Sequence, residues 1–80
     1  MTEQQIVDLV RAALPDALVR VGGDGYHHEL TVISDSFTGL RAVQRQQRVY
    51  GALAEAIRGG ALHAVNIIAL TSAEAAASAA

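Results

Sequence analysis

The sequence predicts a single α/β (α+β) domain with the element order helix, strand, strand, helix, strand. Two segments carry apolar residues at the three- and four-residue spacing of an amphipathic helix. Three shorter segments are rich in β-branched and aliphatic residues, and Gly-rich turns separate the elements. Since the chain has only 80 residues, we expect one domain.

The composition indicates a small aliphatic core and excludes several kinds of site. Hydrophobic residues make up 51% of the chain but include one Phe and no Trp, so Val, Leu, Ile and Ala must fill the core. Because the chain has no Cys, it cannot supply a thiolate to a metal site. The net charge of -2 does not favour a protein that coats nucleic acid. Neither a signal peptide nor an apolar run of about 18–20 residues is present, so we expect a cytoplasmic protein without membrane contact.

The first helix is predicted at about residues 3–14. Thr2 and Gln5 have the spacing of a capping box. The apolar face that follows consists of Ile6, Leu9, Val10 and Ala13. Pro15 ends the helix because it lacks a backbone donor and restricts the preceding residue. The β-branched segment 18–21 then predicts the first strand.

A hairpin loop and a second strand are predicted next. The Gly-Gly-Asp-Gly segment at 22–25 can accept positive φ angles, so it favours a hairpin. It also contains G-x-x-G, a pattern that clamps nucleic acid in KH modules, but there the loop joins two helices. Residues 28–33 alternate in the manner of a strand. In the turn at 34–39, Phe37 is expected to fill the core rather than to bind a ligand.

The second helix is predicted from about Leu40 to Ile57, with Gly59 and Gly60 at its end. Its buried stripe is predicted to be Val43, Tyr50, Leu53 and Ile57. Its basic residues, Arg41, Arg45 and Arg48, are predicted to form one exposed ridge. A solvated helix face is the favoured interpretation of this ridge, and contact with nucleic acid or a partner is the alternative.

The last predicted strand, 64–70, is a nearly continuous apolar run interrupted only by Asn66. Such a run is typical of a strand that is buried on both faces. Thr71 and Glu74 again have capping-box spacing, which predicts a short terminal helix. The Ala- and Ser-rich tail at 75–80 has little to bury, so we expect it to fray.

Histidines precede two of the predicted strands. A helical crossover returns the chain in parallel, so His27 and His63 should lie at the same edge of the sheet, where strands are about 4.8 Å apart. Two imidazoles there could converge on one ion or one cluster. His28 is the alternative to His27 as the ligand from this loop, because neighbouring residues of a strand point to opposite faces and only one of the two can face the site. Spacing alone favours histidines that are satisfied by the backbone, since two ligands make a weak metal site.

Four groups of residues carry a resemblance to a known family. They are Gly23-Asp24-Gly25-Tyr26-His27, Val32-Ile33-Ser34 with Phe37 and Gly39, Arg45 with Val49-Tyr50 and Leu53, and Leu62-His63-Ala64-Val65. In this combination the chain resembles the BolA-like family, and in particular its short branch with a Gly-Asp-Gly-x-His loop. Residues 1–74 would then be a single BolA-like domain and 75–80 a tail. The family often continues with Thr-Pro-x-Glu-Trp, but the segment at 71–74 lacks both the Pro and the Trp.

The resemblance implies a fold similar to a class II KH domain, with helices packed on a three-stranded mixed sheet. It also implies partnership with a monothiol glutaredoxin and glutathione, in which the two proteins share a [2Fe-2S] cluster during iron-sulfur trafficking or iron regulation. The isolated chain would not hold this cluster tightly. In the family the late histidine, here His63, is the characteristic ligand, and His27 occupies the position of the second, with His28 as the alternative.

The alternatives to a cluster partner are a DNA-binding protein and an enzyme. Some family members are described as DNA-binding transcriptional regulators of cell shape and stress response, which the arginine ridge would serve weakly. A weak homodimer is also left open. An enzyme is disfavoured, since the chain has neither Cys nor Lys and no spacing that supports a Ser-His-Asp arrangement.

Overall fold

The order of elements follows the prediction. The computed structural model describes residues 1–23 and 27–79, and the side chains of 1–23 and 27–78. Its elements are α1 (Glu3–Ala13), β1 (Leu18–Gly23), β2 (His27–Ile33), a 3-10 turn (Asp35–Phe37), α2 (Ala42–Arg58), β3 (Ala64–Leu70) and α3 (Ser72–Ala79). Residues 24 and 25 of the predicted hairpin loop lie outside the described residues. No described helix is long and apolar enough to cross a membrane.

The three strands form one mixed sheet in the order β1-β2-β3. β1 and β2 are antiparallel, with Leu18 opposite Ile33. β2 and β3 are parallel, with His27 opposite Ala64. The antiparallel pairing that a hairpin requires and the parallel crossover from β2 to β3 are therefore confirmed.

Both predicted capping boxes are present. At α1, the Gln5 N–H donates to Thr2 Oγ1 at 3.1 Å and the Thr2 N–H donates to Gln5 Oε1 at 2.8 Å. At α3, the Glu74 N–H donates to Thr71 Oγ1 at 3.2 Å and the Thr71 N–H donates to Glu74 Oε1 at 2.8 Å. The terminal helix is thus confirmed, and it includes most of the tail that we expected to fray. Fraying of its last turn stays a prediction.

The core lies between one face of the sheet and the helices α1 and α2. α1 contacts β1 and α2, and α2 also contacts β3. The buried apolar side chains are Ile6, Val10, Leu14, Ala17, Leu30, Val32, Phe37, Val49, Leu53, Leu62 and Ile67. Phe37 is fully buried, so its predicted role in filling the core is confirmed.

The predicted buried stripe of α2 is wrong in two of its four members. Val43 is 59% exposed and Tyr50 is 40% exposed, whereas Val49 and Leu53 are fully buried. Residues seven positions apart share a helix face, so helical periodicity permits a stripe through Val43 and Tyr50 as well as a neighbouring stripe through Val49. Contact with the sheet selects the stripe that contains Val49.

The prediction that β3 is buried on both faces is also wrong. Val65, Ile67 and Ala69 share the face that packs against the helices, as the buried Ile67 shows. The opposite face remains open, and Ile68 there is 46% exposed. β3 is an outer strand of a sheet whose core lies on one face, so its apolar run does not require two-sided burial.

Candidate metal-ligand site at the sheet edge

The end of α2 determines where His63 lies. Gly60 has a φ angle of 80°, which lets the chain leave the helix. The Leu62 N–H then donates to the Ala56 carbonyl oxygen at 3.2 Å, and the Leu62 side chain is buried. His63 follows immediately and is exposed, one residue before β3 begins. The buried Leu62 side chain therefore fixes the backbone immediately before the exposed His63.

His27 lies at the same end of the sheet as His63. It is the first residue of β2, it is exposed, and its Cα is opposite that of Ala64, the residue after His63. Adjacent strands are about 4.8 Å apart, so the two histidine positions are close neighbours. The prediction that parallel strands bring these two positions to the same end of the sheet is confirmed, and both side chains are exposed.

His28 has a different environment from His27. It shares a strand face with the buried residue Leu30, and it is half-buried. Its Nδ1 atom is buried and has no hydrogen-bond partner within the described part of the chain. Alternation places His27 on the open face of the sheet. His28 is therefore the less accessible of the two candidate loop ligands.

A shallow cleft of about 320 Å³ lies where β2 and β3 begin. Its lining consists of His27, His28, Glu29, Ala64, Val65 and Asn66, which are three successive pairs in the register of the two strands. This volume is at the lower limit of the size typical for small-molecule sites. The cleft can receive an ion and its other ligands more readily than a large substrate.

Gly23 supports the position of His27. Gly23 has a φ angle of 112°, and a β-carbon at this position would overlap the His27 carbonyl oxygen. At Gly22, by contrast, a β-carbon would meet nothing within 4 Å. The predicted loop at 22–25 is wrong at these two residues, because both belong to β1. Gly23 there permits the close approach of β1 to the first residue of β2.

The potential soft-metal ligands at this end of the sheet are imidazoles. A [2Fe-2S] cluster takes four protein ligands, and in Rieske-type centres two of them are histidines on one iron. His27 and His63 are two imidazole side chains at one end of the sheet, the residue type that occupies those two positions in Rieske-type centres. Within residues 1–23 and 27–79, no group of three or more His, Cys, Asp or Glu side chains is placed to hold a metal ion.

The predicted arginine ridge is wrong at Arg45. Its Nε donates to the Leu40 carbonyl at 3.0 Å and its Nη1 donates to the Ala69 carbonyl at 3.3 Å. Nη1 also pairs with Glu74 at 2.6 Å, and the Arg45 side chain is only 13% exposed. The guanidinium carbon lies 6.0 Å from the centre of the Phe37 ring. Arg45 thus joins α2, β3 and α3.

The other two arginines of the predicted ridge, Arg41 and Arg48, are exposed. Arg41 is the N-cap of α2, and its carbonyl accepts the Arg45 N–H at 3.0 Å, so the two residues lie one helical turn apart. This spacing does not show that Glu74 of the terminal helix would engage Arg45. The exposed basic surface of α2 therefore contains two of the three predicted residues.

The Glu74 carboxylate is stabilised in its charged form. The backbone N–H of Thr71 makes the largest contribution and the Arg45 side chain the next, and together they lower the pKa of Glu74 from 4.5 to about 2. These contacts hold α3 at the end of β3. They are far along the strand from His63, so they stabilise the sheet rather than the candidate ligands.

Comparison with known proteins identifies the family. The family model described as BolA-like protein matches residues 9–74 of the chain. The chain belongs to the BolA-like family. This BolA-like protein is 40% identical over 74 residues to the acid stress protein IbaG of Escherichia coli (strain K12), a match that covers 92% of the chain and 88% of IbaG.

Solved structures of BolA-like proteins have the same fold. A BolA homologue from Coxiella burnetii superimposes with a TM-score of 0.81 at 28% identity, and the match covers 95% of this chain and 97% of that one. The BolA domain of SufE1 from Arabidopsis thaliana gives a TM-score of 0.78 at 27% identity, over 92% and 98% of the two chains. The predicted α+β fold with a mixed three-stranded sheet is therefore confirmed.

Proposed function

We propose that this BolA-like protein is a non-enzymatic partner of a monothiol glutaredoxin, with which it shares a [2Fe-2S] cluster in iron-sulfur trafficking or iron regulation. The parallel pairing of β2 and β3 is the observation that carries the proposal. It brings His27 and His63 to one end of the sheet, where both side chains are exposed. Two exposed imidazoles, of which His27 lines the shallow cleft and His63 precedes its lining residue Ala64, suit a ligand that is shared with another molecule.

The division of ligands follows from the residue types. This chain contains three His and no Cys, so it offers imidazole nitrogens but no thiolate to a cluster. The glutaredoxin and its glutathione would supply the thiolates that complete the four ligands. Imidazole ligation raises the reduction potential of such a cluster relative to all-thiolate ligation. Acid should release it, because an imidazole binds metal only in its deprotonated form.

The three histidines are not equally suited to bind the cluster. His63 ranks first, because the buried Leu62 fixes the backbone immediately before it and its own side chain is exposed. His27 ranks second, because its Cα lies opposite the residue that follows His63. His28 is the alternative, but its half-buried ring makes it less accessible than His27.

DNA binding is the weaker alternative. With Arg45 held by Glu74 and by backbone carbonyls, only Arg41 and Arg48 of the predicted ridge are available to phosphates. Two phosphate contacts correspond to a salt dependence with a slope of only about -2. Such binding would be weak and independent of sequence.

Co-purification tests the proposed partnership. The chain and a monothiol glutaredoxin are incubated anaerobically with glutathione, iron and sulfide, and the mixture is separated by size. We expect a complex that contains both proteins, iron and sulfide. The glutaredoxin without this chain, and this chain without the glutaredoxin, are the controls. If iron and sulfide never elute with both proteins, the proposal is wrong.

A further inference from the structure

β3 has the composition of a strand that other chains readily join. Its seven residues, Ala64–Leu70, contain no charge and no Pro, and it is an outer strand of the sheet. Ile68 adds an exposed apolar side chain. Uncharged apolar strands at sheet edges template pairing with further strands, and proteins usually protect them with charges, Pro, bulges or a covering element.

Three side chains of α2 donate to alternate carbonyls of β3. Tyr50 Oη donates to the Val65 carbonyl at 3.3 Å. Gln46 Nε2 donates to the Ile67 carbonyl at 2.6 Å. Arg45 Nη1 donates to the Ala69 carbonyl at 3.3 Å, so the three acceptors are a row formed by the carbonyls of every second residue along β3.

These carbonyls belong to the outer edge of the sheet. Successive carbonyls of a strand point to opposite sides, so those of residues 65, 67 and 69 point one way. The Leu70 carbonyl points the other way, because it accepts the Ser34 N–H at 2.9 Å just after β2. The row that α2 occupies therefore faces away from β2, where a fourth strand would have to pair.

We infer that Gln46 and Tyr50 close the outer edge of β3 against pairing with a second copy of this chain. A fourth strand needs the carbonyls of Val65 and Ile67 as acceptors, and both are occupied. Arg45 contributes to the same row but also anchors α3, so it serves two purposes. The closed edge leaves His63, at the start of β3, uncovered. This inference holds independently of whether His63 binds a cluster.

The test removes the two side-chain donors, Gln46 and Tyr50, whose role in this inference is limited to the outer edge of β3. In the double variant Gln46→Ala/Tyr50→Ala, we expect self-association through β3 that increases with concentration, with a mass approaching twice the 8.4 kDa of one chain. Sedimentation equilibrium measures the mass, and circular dichroism checks the fold. The matched control is Val43→Ala/Gln47→Ala, which changes two exposed residues of α2 and should remain monomeric.

A third variant distinguishes strand pairing through β3 from non-specific association. Adding Asn66→Lys to the double variant places a charge on β3, so it should restore the monomer. The inference is overturned if the double variant stays monomeric with a native spectrum, if the control associates equally, or if Asn66→Lys does not reverse the association. Should the double variant fail to fold, the single variants Gln46→Ala and Tyr50→Ala are judged by the same masses.

Discussion

Gly23 approaches His27 so closely that the glycine has no room for a side chain. A β-carbon would overlap the His27 carbonyl oxygen, and the φ angle of 112° is one that other residues rarely adopt. We therefore expect Gly23→Ala to lower the free energy of unfolding by about 1–3 kcal/mol, the usual range for a residue held in such a conformation. Urea denaturation measures this change.

The neighbouring glycine provides the control for this substitution. Gly22 has open space around its missing β-carbon, so Gly22→Ala should change the stability by about 0.5 kcal/mol or less. Equal losses in the two variants would show that the approach of Gly23 to His27 does not matter. Gly23→Ala should also lower the affinity for any ligand bound by His27, because the His27 backbone must move to accommodate the new β-carbon.

Arg45 should be the most important basic residue for stability. Arg45→Ala removes the guanidinium donor from the Ala69 and Leu40 carbonyls and from the Glu74 carboxylate, which keeps the Thr71 N–H. We expect a loss of about 1–3 kcal/mol, as is usual when buried hydrogen bonds to a charged group are removed. Arg48→Ala, an exposed control on the same helix, should change the stability little. Hydrogen exchange should show that α3 loses protection in Arg45→Ala; unchanged exchange would contradict this role.

The stability of the protein should depend on the ionisation of Glu74. Its pKa is about 2 in the folded protein and 4.5 ordinarily, so the charged form stabilises the fold at pH values above about 4.5. This contribution is lost as the pH falls from about 4.5 towards 2. Glu74→Gln should therefore melt at a lower temperature than the wild type at neutral pH, and the difference should shrink in this acidic range.

Thermal melts between pH 2 and 7 measure the effect of Glu74. Glu55→Gln, on an exposed residue of α2, controls for the loss of one negative charge. A melting difference between wild type and Glu74→Gln that stays constant down to pH 2 would be inconsistent with the lowered pKa.

Binding to duplex DNA should be weak and strongly reduced by salt. With Arg41 and Arg48 as the two exposed arginines of the predicted ridge, the logarithm of the binding constant should fall with the logarithm of the salt concentration with a slope of about -2. Fluorescence anisotropy at several salt concentrations gives this slope. Arg48→Ala should reduce it by about one, whereas a steeper slope that depends on Arg45 would show that this residue leaves its internal contacts.

Local chemistry explains how much of the fold the sequence predicts. Thr2 and Thr71 each begin a helix through a capping box that four residues specify, so both starts are predictable. The parallel pairing of β2 with β3 follows from the crossover between them, and it brings His27 and His63 together. These features depend on short segments and on the general handedness of connections.

The errors occur where one element meets another that is distant in sequence. The spacing of α2 predicts Arg45 on an exposed ridge, because nothing in α2 reveals that Glu74 would pair with it. Helical spacing predicts Tyr50 in the buried stripe, whereas its hydroxyl donates to the Val65 carbonyl at the outer edge of the sheet. Neither contact has a local sequence signal.

The choice between His27 and His28 also requires comparison of variants. Each is replaced by Ala in a complex reconstituted with a monothiol glutaredoxin, and the retained iron is measured. We expect His27→Ala to lose more iron than His28→Ala, because the His27 side chain is exposed and the His28 ring is half-buried. The reverse order would assign the second ligand to His28.

The visible circular dichroism spectrum of the reconstituted complex tests the central claim most directly. The wild type and His63→Ala are each reconstituted anaerobically with a monothiol glutaredoxin, glutathione, iron and sulfide, and far-ultraviolet spectra confirm that both are folded. Because His63 is exposed at the start of β3, its replacement should leave the fold intact. We predict that His63→Ala abolishes or shifts the visible bands of the shared cluster. A spectrum identical to that of the wild-type complex would contradict the proposed function.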